Sequence, residues 1–343
     1  MAGNGTTRAD GAAAPRRPWR RRAIVAAEVV ALAVVGVFAY RSLSGRLGAS
    51  GFLHLRFSLP YLLAAWLFLF GYYAMYSFGA HLVLRRLGAS SSTVMRAFKL
   101  NFATNIGKYV PGGIWPAVGR MGLGPQLGLP RRTVAPAMVL EMGLSVAGGL
   151  LVFFASLAFG GSLPAGTRPW HWAALAALVV LGLAPPVWRR VLAFGFRVAK
   201  VDADVPHMSF AATLGLMLYF AAAWAVAGIG FRFYTLALVA QAPGSALVYM
   251  GVYAAACVGG LVVVFAPGGI GVREGVITVL LAPLVGTGPA AVVGVSARVW
   301  STLLELALSG LAVALPIPHV QADGAGEPGE GASAEKDGVT GGP

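Results

Sequence analysis

Long apolar runs without a single Lys, Arg, Asp or Glu dominate the chain: 57–84, 142–167, 169–188, 205–231, 233–272, 275–297 and 306–322. Most reach the roughly 20 residues that a bilayer-spanning helix needs. The pattern predicts spans near 23–40, 60–84, 132–160, 170–187, 208–236, 245–266 and 289–316, with shorter helices at about 91–107 and 273–286. The expected fold is therefore an all-α polytopic membrane protein with about seven or eight transmembrane helices plus short broken or re-entrant ones. Residues 1–22 read as a disordered basic tail, 23–316 as the membrane domain and 317–343 as a disordered acidic tail.

The interruptions carry more information than the spans. Pro111-Gly112-Gly113-Ile114 recurs 156 residues later as Pro267-Gly268-Gly269-Ile270, and each copy is followed by an arginine, Arg120 or Arg273. Proline and paired glycines do not continue a helix, and broken backbone at membrane depth persists only when buried in protein or lining a polar cavity. Three expected spans, 132–160, 170–187 and 208–236, lie between the segments that lead into the two copies (91–107 and 245–266), so equivalent breaks would be inverted relative to each other. The downstream offsets match: Glu141 lies 30 residues after Pro111, and Arg298 lies 31 residues after Pro267. An inverted internal repeat is the expectation, and reuse of Pro-Gly-Gly as a helix terminator is its competitor. Before the first break, Ser91–Val110 is interrupted by Arg96, Lys99, Asn101, Asn105 and Lys108. It reads as a half-helix or interfacial helix, or alternatively as an amphipathic cytoplasmic surface helix. Residues 188–206 read as the longest polar loop of the middle region.

Composition agrees with the pattern, at 57% hydrophobic and 11% charged residues. The net charge of +14 is spread over junctions between apolar segments, so it points to membrane topology rather than nucleic acid. Arg8, Arg16, Arg17, Arg20, Arg21 and Arg22 place the N-terminus in the cytoplasm, together with the Arg85/Arg86, Arg131/Arg132 and 188–206 junctions. Arg41, Arg46 and Arg56 are misfits to that rule. Tyr40-Arg41 supplies no small-residue cleavage site, which disfavours a signal peptide. Cys257 stands alone, the five histidines have no ligand spacing, and no phosphate-loop signature occurs. Neither cofactor nor metal is expected.

Charged residues inside apolar spans are costly unless paired or hydrated, so they should face the bundle interior. Glu141, Arg298 and Glu305 are the intramembrane set, with Glu28 nearer an interface. Arg298 and Glu305, seven apart, share one helix face. Glu141 and Arg298 occupy matching places in the two halves and are expected to pair, either as a structural lock or as groups that coordinate a polar headgroup. Lys108, Arg120 and Arg273 bring positive charge to glycine-rich turns that open onto helix starts, a combination suited to phosphate. Glu274 reads as a complement to its helix dipole, and Trp115 as an interface anchor. Gly251, Ala255 and Gly259, four apart, read as close-packing positions.

Asn105-Ile106-Gly107-Lys108-Tyr109-Val110-Pro111-Gly112-Gly113, then Arg120 and Glu141, then Ala266-Pro267-Gly268-Gly269-Ile270-Gly271-Val272-Arg273-Glu274, resemble the lysylphosphatidylglycerol synthase transmembrane-region family. That family is the flippase-like membrane domain of the multiple peptide resistance factor, and the resemblance spans roughly residues 24–316. It implies a multi-pass plasma-membrane protein that moves or handles lipids between two inverted halves. Lys108, Arg120, Glu141, Arg273 and Glu274 are then headgroup-cavity candidates, alongside the intramembrane Arg298 and Glu305. The soluble aminoacyl-transferase domain of bifunctional members is not expected in the polar tail, so the chain is not expected to be an enzyme. The expected partners are membrane lipids, anionic or lipid-linked. The alternative reading is a membrane subunit or scaffold that presents lipid to a separately encoded transferase.

Overall fold

The computed structural model describes residues 57–109, 115–160, 168–198, 208–262 and 271–316, and these are helical almost throughout. The span expected at 23–40, both tails and both Pro-Gly-Gly motifs lie outside the described residues. The helices are α1 (Leu59–Arg86), α2 (Val94–Asn105), α3 (Trp115–Leu123), α4 (Arg131–Phe159), α5 (Pro169–Leu181), α6 (Pro185–Val198), α7 (Phe210–Leu238), α8 (Ala246–Val262), α9 (Val272–Val285) and α10 (Thr287–Ala314). A 3₁₀ turn, Ile106–Tyr109, extends α2.

Local chemistry sets these boundaries. Pro60 stands in the first turn of α1, where its missing N–H leaves no bond unmade. Thr93 and Ser209 cap α2 and α7 through their side-chain oxygens, which accept from the amides of Arg96 and Ala212. Gly286, at φ +87°, turns the chain from α9 into α10 without a linker of any length.

Four helices, α1, α4, α7 and α10, are long and apolar enough to cross a membrane. At about 1.5 Å per residue the 28 residues of α1 extend about 42 Å, more than the ~30 Å hydrocarbon thickness. The expected span at 170–187 is instead a pair, α5 and α6, bent by 77°. The polar loop expected over 188–206 is corrected accordingly, because α6 continues to Val198. Its arginines hid the periodicity: Arg189, Arg190 and Arg197 are exposed, while Trp188, Leu192 and Phe196 repeat every fourth position and are buried against the bundle.

Burial is inverted relative to a water-soluble protein. Leu59, Leu63, Leu67 and Phe70 form an exposed stripe on α1, and Phe159, Trp170, Leu178, Leu181, Val279 and Val313 are likewise outward-facing. All three carboxylates among the described residues, Glu141, Glu274 and Glu305, are buried. An apolar exterior around a charged interior is the arrangement that hydrocarbon solvent selects.

The core has two parts that share α1 and α7. Toward the start of α1 and the end of α7, Leu69, Tyr73, Phe231 and Tyr234 pack with α8, α9 and α10. Toward the other end, Leu84, Met217 and Phe220 pack with α2, α4 and α6. Small residues let the backbones meet. A Cβ added to Gly228 of α7 would lie 2.2 Å from the Cα of Met250 on α8, and one on Gly251 of α8 would lie 1.7 Å from Ser156 Oγ on α4. Gly251 thus occupies one of the close-packing positions read from the sequence.

α2 is embedded rather than superficial. Arg96, Lys99 and Asn101 are buried along with Ala97 and Leu100, so its polar residues pack against the bundle. Lys99 Nζ donates to the carbonyls of Leu315 and Pro316, closing the C-terminal end of α10.

Gly228→Val should lower the melting temperature of the detergent-solubilised protein by several degrees, because overpacking typically costs about 1–3 kcal/mol or more. Gly215→Ala on the same helix, where an added Cβ meets nothing within 4 Å, should leave it unchanged or raise it.

Candidate functional site

The charged side chains collect in two clusters. The first is local to the segment after the first break. Gly107 lies against the start of α3, where an added Cβ would come within 2.8 Å of Trp115 C and Pro116 N. The residues flanking 110–114 are therefore in contact, and α3 turns back along α2. α3 in turn packs on α4, and Arg120 Nη1 donates to Glu141 Oε2 at 2.9 Å. Tyr76 of α1 also interacts with Arg120. Glu141 is 1% exposed, and its second oxygen accepts no hydrogen bond among the described residues.

This corrects the expected pairing of Glu141 with Arg298. The neighbour in sequence wins because the contact of Gly107 with the start of α3 and the short link into α4 bring Arg120 to Glu141. Arg298 belongs to the other cluster.

The second cluster joins distant parts of the chain. Lys108 Nζ forms an ion pair with Glu305 Oε2, and Tyr73 of α1 donates its hydroxyl to Glu305 Oε1 at 2.6 Å. Arg273, in the first turn of α9, donates from Nη2 to the Tyr253 hydroxyl of α8 at 2.7 Å and lies 4.9 Å from the centre of that ring. Arg273 interacts electrostatically with Glu305, and Lys108 with both Arg273 and Arg298. Cys257 of α8 feels Arg273, Glu305 and Arg298 together. Trp300 stacks on Tyr234 with ring centres 4.7 Å apart and meets Tyr253 edge-on, so stiff aromatic rings wall the charges.

On α10 the polar residues make a continuous lane. Arg298, Ser301, Thr302, Glu305 and Ser309 recur at helical spacing and all are buried. From residue 298 to 309 the lane runs about 16 Å along the axis at about 1.5 Å per residue.

Glu274 stands apart from both clusters in its role. Its Oε2 accepts from the Gly271 amide at 2.6 Å, so the carboxylate caps the N-terminus of α9. Trp115 is partly exposed at the start of α3. Pro111, Gly112, Gly113, Pro267, Gly268 and Gly269 lie outside the described residues. Tyr73, Tyr76 and Tyr253 were not legible as site residues, because a tyrosine inside a charge-free span looks like any other large apolar residue until its hydroxyl is placed.

Comparison with protein families, with curated proteins and with solved structures finds no match.

Removing one partner of a buried ion pair leaves an uncompensated charge and costs about 3–5 kcal/mol. Arg120→Leu should therefore destabilise the protein strongly in a thermal unfolding assay, while Arg120→Leu with Glu141→Leu should recover most of the loss.

Proposed function

We propose that the chain is a multi-pass plasma-membrane protein, its N-terminus in the cytoplasm, that translocates or handles a phospholipid or lipid-linked headgroup. The observation that carries this reading is the buried lane Arg298–Ser309 on α10, joined at Glu305 by Lys108 and Tyr73 and flanked by Arg273 on α9. A structural lock needs one balanced pair. A lane of charges and hydroxyls along a membrane helix is what a polar group crossing hydrocarbon requires in place of its hydration.

Two inverted halves fit the order of elements. α2, a Pro-Gly-Gly motif, α3 and α4 are followed later by α8, a Pro-Gly-Gly motif, α9 and α10. Each short helix carries an arginine, Arg120 or Arg273, and each following long helix carries a buried charge, Glu141 or Arg298. Counting α5 and α6 as one broken span, three crossings (α4, α5–α6 and α7) lie between the corresponding leading helices α2 and α8, which would invert the second set relative to the first. The reading agrees with the resemblance to the lysylphosphatidylglycerol synthase transmembrane region, and in it the chain moves its cargo without chemistry.

The test is reconstitution of the full chain into liposomes holding labelled phospholipids or lipid-linked sugars. Wild type should move at least one of them between leaflets, and Arg273→Ala should slow that movement by about tenfold or more. Arg190→Gln, on the exposed face of α6, should move lipid as wild type does. No protein-dependent movement of any lipid would overturn the reading.

A further inference from the structure

Among the described residues, Glu305 meets cations and weak acids from each helix that brings charge to it. Lys108 holds Oε2, and the Tyr73 hydroxyl donates to Oε1 at 2.6 Å. Tyr72 of α1, Arg273 of α9 and Tyr253 and Cys257 of α8 interact with it electrostatically, and Arg298 stands two turns away on the buried lane of α10 itself. Arginine stays protonated at physiological pH, and in water tyrosine and lysine titrate near about pH 10 and cysteine near about pH 8.5. Of these groups the carboxylate is the one that takes up a proton from the acid side of neutrality.

Its two oxygens are not equivalent. A tyrosine hydroxyl both donates and accepts, so Oε1 keeps Tyr73 in either protonation state, whereas a lysine ammonium only donates. An O–H at Oε2 and the Lys108 ammonium therefore exclude each other. Whatever else surrounds the site, that exchange raises its charge by one, and one phosphodiester offsets it. The pair is also the more open of the two, with 11% of the Glu305 side chain and 28% of Lys108 exposed against 1% of Glu141 and 12% of Arg120. Ser301 and Ser309 lie one turn before and after Glu305 on the buried lane, and their hydroxyls both donate and accept along a proton's route.

We propose that the chain is a proton-coupled carrier: Glu305 takes up one proton on Oε2 as a headgroup with a single phosphodiester charge binds, and Lys108, released from Glu305, grips that phosphate. Proton and headgroup load together, because Lys108 serves either the carboxylate or the phosphate. The proton comes from water on one side and returns to water on the other when Glu305 takes back Lys108, and only the O–H bond forms and breaks. One positive and one negative charge cross together, so the cycle moves no net charge. The inference rests on the translocation reading and names its driving ion.

The test reconstitutes the full chain into phosphatidylcholine liposomes holding a trace of tail-labelled phosphatidylglycerol, a phosphodiester of single charge, with a pH step of about one unit across the membrane. One proton per lipid predicts about a tenfold excess of label in the leaflet on the alkaline side at equilibrium, and Glu305→Gln should leave the label even. A potassium diffusion potential at equal pH should leave it even in wild type. Label that moves through wild type yet stays even under the pH step overturns the coupling and leaves the translocation reading. An excess that follows the potential instead overturns the electroneutral pairing, and one that persists in Glu305→Gln overturns Glu305 as the proton's carrier. A second readout needs no movement: phosphatidylglycerol added to wild type in weakly buffered detergent should draw about one proton per chain from solution, and phosphatidylcholine none. No uptake overturns the proposal even if Glu305→Gln does not fold. Uptake without movement in liposomes keeps the proton site and sinks the translocation reading.

Discussion

The Glu305 carboxylate is the point on which the helical arrangement turns. A carboxylate in the interior of an apolar bundle has to be met by charge and by hydrogen bonds, or it is too costly to keep ionised. Here it is met from three separate parts of the chain: the Lys108 ammonium beyond α2, the Tyr73 hydroxyl of α1 and, at longer range, Arg273 of α9. Apolar packing tells helices to associate but barely tells them in what rotation, since lipid tails are as apolar as leucine. The carboxylate supplies that instruction. It fixes which face of α10 looks inward, and the buried hydroxyls of Ser301, Thr302 and Ser309 follow on the same face.

The other cluster does the same job over a short stretch of chain. Arg120 and Glu141 are 21 residues apart, close enough for the α3–α4 connection to bring them together, whereas Lys108 and Glu305 are 197 residues apart. One pair therefore organises a local unit and the other ties distant units together. Between them α1 and α7 serve both parts of the core, and glycines at the helix crossings let backbones approach closely enough for short tyrosine and lysine bridges to reach.

The spans were legible because hydrocarbon imposes a plain rule: runs without charge are helices, and charges mark their ends. α1, α4, α7 and α10 fall within a few residues of the spans predicted at 60–84, 132–160, 208–236 and 289–316. α6 was missed because the same rule misreads an amphipathic helix, whose Arg189, Arg190 and Arg197 look like a loop when counted along the chain rather than around an axis. Arg298 and Glu305 were legible as inward-facing because charge inside an apolar span is costly unless paired, and their seven-residue spacing put them on one face. The partner of Glu141 was not, because the expected symmetry suggested Arg298 while the packing of Gly107 on the start of α3 goes with Arg120 reaching Glu141 instead. The tyrosines were invisible for a simpler reason: a hydroxyl's role depends on what it touches, and composition is silent on contact.

The measurement that bears most directly on Glu305 as the tie between distant parts of the chain is a double-mutant cycle over Lys108→Met and Glu305→Met, read by unfolding of the purified protein in nanodiscs. A partly buried ion pair that joins distant parts of the chain predicts a coupling energy of about 2 kcal/mol or more. Additive losses, with coupling within about 0.5 kcal/mol of zero, would contradict it.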